Sequence, residues 1–171
     1  MKRETDVNAS RAASDLDHQL ESRSQSTRRR ADGMVCMVVD DLSHQLESMK
    51  RIIYQAAPGI EFIEARNRAE AMAVVKGKDR LDLAVVDLKL TPEGYDTYGI
   101  DVIQSLKKEP HRKNVLAILI TAFPDPQGQA QAEQAGADGY INKLNDSVAQ
   151  ELQEMVRALL FGAKPKKTKK E

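Results

Sequence analysis

A single cysteine, Cys36, excludes any disulfide within the chain, and its place inside an apolar run gives the thiol a packing role. No apolar stretch approaches the ~18 residues needed to cross a bilayer, so no membrane association is expected and the compartment expected is the cytoplasm. Arg28, Arg29 and Arg30 precede an apolar run in the manner of an export signal, but that run, Met34 to Val39, stops at Asp40-Asp41 after six residues. Net charge is also lacking: 26 Lys and Arg balance 26 Asp and Glu, which removes whole-chain electrostatics as a reason to expect nucleic acid. The three histidines, His18, His44 and His111, have no metal-ligand spacing with one another or with Cys36 and read as surface residues. After Phe161 only residues 162–171 follow, too few for a helix-turn-helix or an enzymatic output domain.

A length of 171 residues suits one domain with tails. Residues 1–32 are rich in Ser, Arg, Asp and Gln with few large apolar side chains, the composition of a flexible or partly helical arm. Within the arm, Asp15 to Ser22 repeats Asp41 to Ser48 with one difference, Asp17 for Ser43. Two such copies cannot build a repeat architecture. They read either as a duplication without function or as a mimic of the first helix. Residues 33–162 form the expected domain, and 163–171 a basic, solvated tail carrying Lys164, Lys166, Lys167, Lys169 and Lys170.

Inside the domain, short β-branched and aliphatic runs alternate with segments of helical period. The runs are Met34–Val39, Ile60–Ala65, Leu81–Asp87, Val115–Thr121 and Gly139–Asn142. Between them, Leu42, Leu46, Met49 and Ile53 stripe a first helix, Arg68–Lys76 and Ile100–Lys107 form two more, and a fourth is delayed by Pro124 and Pro126 and ended by Gly136. Val148, Leu152, Met155 and Leu159 stripe the last helix. Right-handed crossovers then give an α/β fold, a doubly wound five-stranded parallel sheet of flavodoxin-like order with helices on both faces.

In such a sheet ligands sit beyond the carboxyl ends of the strands, so Asp40, Asp41, Asp87, Thr121 and Lys143, which end four of the runs, converge. Clustered carboxylates repel unless cations compensate them. Lys143 supplies one charge, and Mg²⁺, which favours hard oxygen ligands while keeping positions for water and phosphate, suits the remainder. Asp87, alone at its strand end, is the candidate nucleophile for an acyl phosphate. Lys143 and the Thr121 hydroxyl fall naturally to charge neutralisation at a transferring phosphoryl group.

From about Gly33 to Gly162, these motifs, together with Ala135-Gly136-Ala137-Asp138-Gly139-Tyr140, resemble the receiver domain of bacterial two-component response regulators. The resemblance implies a stand-alone, non-enzymatic phosphoprotein of a phosphorelay. Asp87 would accept phosphate from a histidine kinase or histidine phosphotransfer protein. Asp41 would bind Mg²⁺ directly, Asp40 largely through water, and Asp87 and the Lys89 backbone carbonyl would complete the metal site. Thr121 and Lys143 would bind phosphoryl oxygens, and Tyr140 would follow the threonine. Lys89 and Phe123, two residues beyond Asp87 and Thr121, would modulate dephosphorylation. The switched surface, a possible dimer interface, would be the face made by the fourth helix, fifth strand and fifth helix. Two features depart from the family pattern: a long segment from Leu88 to Gly99, and Leu144 where proline usually follows the lysine, which predicts a trans bond and a slightly displaced ammonium. The alternatives are a pseudo-receiver acting as a pure interaction module and, from Asp87-Leu88-Lys89-Leu90-Thr91, a haloacid-dehalogenase-like phosphohydrolase.

Overall fold

The computed structural model describes residues 31–90 and 98–162. The expected arm up to residue 30 with the first copy of the octapeptide and His18, the middle of the long segment (91–97), and the basic tail lie outside the described residues. The order is β1 (Val35–Val39), α1 (Ser43–Ala56), β2 (Glu61–Ala65), α2 (Arg68–Lys76), β3 (Leu83–Asp87), α3 (Tyr98–Lys108), a 3₁₀ turn (Pro110–Arg112), β4 (Leu116–Thr121), α4 (Pro126–Gln134), β5 (Gly139–Asn142) and α5 (Val148–Phe161). All strand pairs are parallel, in the order β2-β1-β3-β4-β5. This is the doubly wound, flavodoxin-like arrangement expected from the sequence.

The runs read as strands because both faces of the sheet are covered, and β3 is buried at every position. Alternate side chains supply two cores. Met37, Val39, Ala84, Val86, Ala117 and Leu119 face the α2–α3–α4 side. Cys36, Val38, Leu83, Val85, Ile118 and Ile120 face α1 and α5. Burial drives the Cys36 thiol pKa far above its ordinary value, so it remains a neutral packing group. Ala31, ahead of β1, is also fully buried on the α1–α5 side.

Helix starts follow local chemistry. Asn67 Oδ1 accepts from the Glu70 amide at 2.9 Å while Glu70 accepts from the Arg66 amide at 2.8 Å, a close relative of the capping box. Asp125 caps α4 with Pro126 in its first turn. Two stripes differ from expectation. Leu42 is not on the buried face of α1 but stands at its N-cap, 43% exposed, where its amide donates to Asp40 Oδ1; the buried stripe is Leu46, Met49, Ile53 and Ala56. In α5 the buried pair is Leu152 and Val156, with Val148, Met155 and Leu159 at the core's margin.

Gly99, in the first turn of α3, lies so near the end of β3 that an added Cβ would stand 2.1 Å from the Asp87 carbonyl oxygen. Its amide donates to Leu88 O at 3.1 Å, fastening the helix to the backbone beside Asp87. Arg112 is 3% exposed and faces backbone carbonyls rather than a carboxylate: it donates to Val74 O, Val75 O, Gly77 O and Asp79 O, closing the C-terminal end of α2. Replacing it leaves several buried acceptors without donors. Arg112→Met is expected to lower the unfolding free energy by about 2–4 kcal/mol in urea titration. An unchanged midpoint would show that solvent replaces the guanidinium.

Candidate functional site

At the carboxyl end of β1, Asp40 is fully buried, continues the ladder through its amide to Ala65 O, and turns Oδ1 back to the Leu42 amide at 2.9 Å. Asp41, next in sequence, is half-buried. Asp87 ends the central strand, β3, and the Leu88 amide after it donates to Ile120 O of β4. Carboxylate oxygens of Asp40, Asp41 and Asp87 all lie within 4.8 Å of one another. Lys143 directly follows β5, its amide held by Thr121 O at 2.7 Å. Its ammonium lies 2.6 Å from Asp40 Oδ2 and 3.2 Å from Asp87 Oδ2, and donates also to Gln45 Oε1. The strand ends thus converge as the sequence order required.

The remaining expected residues surround this cluster. Thr121 is fully buried at the end of β4, and its Oγ1 accepts from the Phe123 amide at 3.0 Å, leaving the hydroxyl hydrogen available to another acceptor. Lys89 Nζ stands 3.8 Å from the centroid of the Phe123 ring, a cation–π contact between the loops that follow β3 and β4. Phe123 is itself 61% exposed. The Tyr140 hydroxyl is buried, and no partner among the described residues meets hydrogen-bond distance and angle. His44 and His111 are exposed, and His111 contacts the Gly77 carbonyl oxygen away from the strand ends. The described residues contain no cis peptide bond, so Lys143–Leu144 is trans. With Leu144 following it, the Lys143 ammonium reaches both Asp40 and Asp87.

Gln45 was not among the expected site residues. The only signal for it was its spacing: it follows Asp41 by four positions, one turn into a helix whose start the strand end dictates. It also lines a surface cavity of about 310 Å³ between α1 and α5, with Met49, Ile52, Leu144, Val148 and Leu152.

Electrostatics decide what the cluster can hold. Burial raises the Asp87 carboxyl most, Lys143 pulls it down, Asp40 pushes it up, and the balance leaves its pKa at about 6. Three carboxylates cluster together, and one ammonium pairs with two of them, Asp40 and Asp87. The hard oxygen donors and the shortage of positive charge both fit a divalent cation of the Mg²⁺ type.

With its folded pKa above the unfolded value, Asp87 costs the fold stability wherever the unfolded chain would ionise it. The burden is absent below about pH 4, grows as pH rises towards 6, and is complete above it. In chelator, Asp87→Asn is expected to raise the unfolding free energy by about 2 kcal/mol at pH 7.5 and to leave it unchanged near pH 4. Equal effects at both pH values in urea titrations would contradict this.

Residues 36–157 match the family described as the response regulator receiver domain. Over 87 residues the chain is 32% identical to the polar-differentiation response regulator DivK of Brucella anthropi, covering 51% of this chain and 67% of that protein. A receiver domain protein (CheY-like) from Methanospirillum hungatei superposes with a TM-score of 0.62 at 25% identity, over 74% of this chain and 93% of that one. A response regulator from Burkholderia pseudomallei, solved with a phosphorylated aspartic acid, calcium ion and citrate, shares the fold with a TM-score of 0.56 at 23% identity, over 73% and 71% of the two chains. Since the match covers more than two thirds of the chain, from within β1 into α5, and includes every residue of the strand-end cluster, the chain belongs to the response regulator receiver domain family.

Proposed function

We propose that the chain is a phosphorylation-dependent signalling receiver in which Asp87 accepts a phosphoryl group from a histidine kinase or histidine phosphotransfer protein. The observation that carries this reading is the convergence of Asp40, Asp41, Asp87 and Lys143 at the carboxyl ends of β1, β3 and β5. Asp40, Asp41, Asp87 and the Lys89 backbone carbonyl would hold Mg²⁺, which when bound neutralises charge on the phosphoryl oxygens. A divalent ion in the Burkholderia relative agrees with this assignment.

The chain's own groups perform the rest. An ionised Asp87 oxygen forms a bond to phosphorus as the bond from phosphorus to the donor nitrogen breaks, and the electron pair of that bond leaves with the imidazole. A pKa of about 6 keeps Asp87 mostly ionised near neutral pH. Lys143, anchored on Asp40 Oδ2, presents N–H donors to the incoming oxygens. Thr121, whose Oγ1 accepts from the Phe123 amide, keeps its hydroxyl hydrogen for a phosphoryl oxygen. Movement of Thr121 then alters packing around Tyr140 in β5, whose hydroxyl is buried. Through it the α4–β5–α5 face changes its affinity for a protein target or a second copy. The haloacid-dehalogenase-like reading is less well supported, because Lys89 stacks on Phe123 where an acid/base aspartate would be needed.

Incubation with acetyl phosphate and Mg²⁺ is expected to add one phosphoryl group by intact mass, and the adduct is expected to be absent in Asp87→Ala or with EDTA. A wild-type chain that takes no phosphoryl group would favour the pseudo-receiver, and an adduct that survives in Asp87→Ala would move the acceptor elsewhere. The Lys89–Phe123 contact screens the site from water, so Lys89→Ala with Phe123→Ala is expected to shorten the acyl phosphate lifetime by roughly 3- to 10-fold, on the scale of one cation–π contact. An unchanged lifetime would remove that role.

A further inference from the structure

We propose that Gln45 is a positioning residue for the Lys143 ammonium, holding it between the two buried carboxylates so that its donors already point where a phosphoryl group arrives. The inference rests on the reading of Lys143 as a phosphoryl-binding residue. A lysine ammonium has three donors, and three acceptors surround this one: Asp40 Oδ2 at 2.6 Å, Asp87 Oδ2 at 3.2 Å and Gln45 Oε1.

The three acceptors differ in kind. Asp40 and Asp87 attract the ammonium as charges, which fixes distance more than direction. Gln45 offers a neutral amide oxygen from the first turn of α1, a helix seated by Leu46, Met49 and Ile53. The lysine stem is long and rotamer-rich. Its backbone end is fastened by the amide bond to Thr121 O, and its far end by Asp40 and Gln45 together. When Asp87 becomes an acyl phosphate, the N–H that faces Asp87 Oδ2 turns to a phosphoryl oxygen, while Asp40 and Gln45 keep the other two donors. Little reorganisation is then needed at the moment of transfer.

Gln45→Met preserves length and apolar packing while removing the acceptor. With Mg²⁺ saturating, it is expected to slow phosphorylation by acetyl phosphate roughly tenfold, the scale of one hydrogen bond to a charged group, with Mg²⁺ affinity and unfolding midpoint unchanged. In a Lys143→Met background the same substitution is expected to have no further effect, because the two residues act as a unit. An undiminished rate, or an equal loss in both backgrounds, would overturn the assignment. A wild-type chain that takes no phosphoryl group would defeat the phosphorylation reading instead. The Gln45–Lys143 contact is then decided by the ¹⁵N resonance of the Lys143 ammonium: slow hydrogen exchange in the wild type and faster exchange in Gln45→Met support it, and equal exchange overturns it.

Discussion

The Lys143 ammonium between Asp40 and Asp87 is the contact on which the site depends. It joins the end of β5 to the ends of β1 and β3 and offsets charge that burial makes costly. Without it, two buried carboxylates would face each other across a narrow gap, with Asp41 adding a third negative charge nearby. The fold supplies what that contact needs. Parallel pairing of β3 with β1 and β4, and of β4 with β5, brings all these residues to one edge of the sheet. The β4–β5 ladder is continued one residue further by the Lys143 amide on Thr121 O.

Electrostatic shortage and mechanical order are two aspects of this arrangement. One ammonium does not balance three carboxylates, and burial, with a smaller push from Asp40, holds the Asp87 carboxyl above its ordinary range against the pull of Lys143. A divalent cation held by the three carboxylates would relieve that shortage. Around the cluster, the Lys89–Phe123 stack and the Thr121–Phe123 turn tie together the loops that follow β3 and β4. Gly99 allows α3 to begin against the Asp87 carbonyl, so the backbone of Asp87 is braced by the helix.

The five strands and the converging residues were legible in the sequence for a physical reason. Buried parallel strands need continuous apolar runs, and the residue that ends such a run must lie at the sheet's edge whatever the loops do. Asp40, Asp87, Thr121 and Lys143 were located by that rule together with the resemblance to receiver domains. Properties that depend on rotation about a helix axis were less accessible. Leu42 has the spacing of the α1 stripe, but the turn out of β1 leaves it at the N-cap and exposed. Gln45 sits beside an apolar stripe and became a site residue only through the phase of α1 over Lys143. Nothing in the sequence around Arg112 singled it out, and only the three-dimensional path of α2 shows the carbonyls that bury it.

The central claim is that this cluster lacks positive charge which a divalent cation supplies, and calorimetric titration with Mg²⁺ tests it most directly. At pH 6, in two buffers of different ionisation enthalpy, one ion should bind per chain with release of roughly half a proton, because metal binding requires the ionised carboxylate and Asp87 titrates near that pH. Proton release should vanish by pH 8 and in Asp87→Asn. Binding without proton release at pH 6, or no binding at millimolar Mg²⁺, would contradict the account.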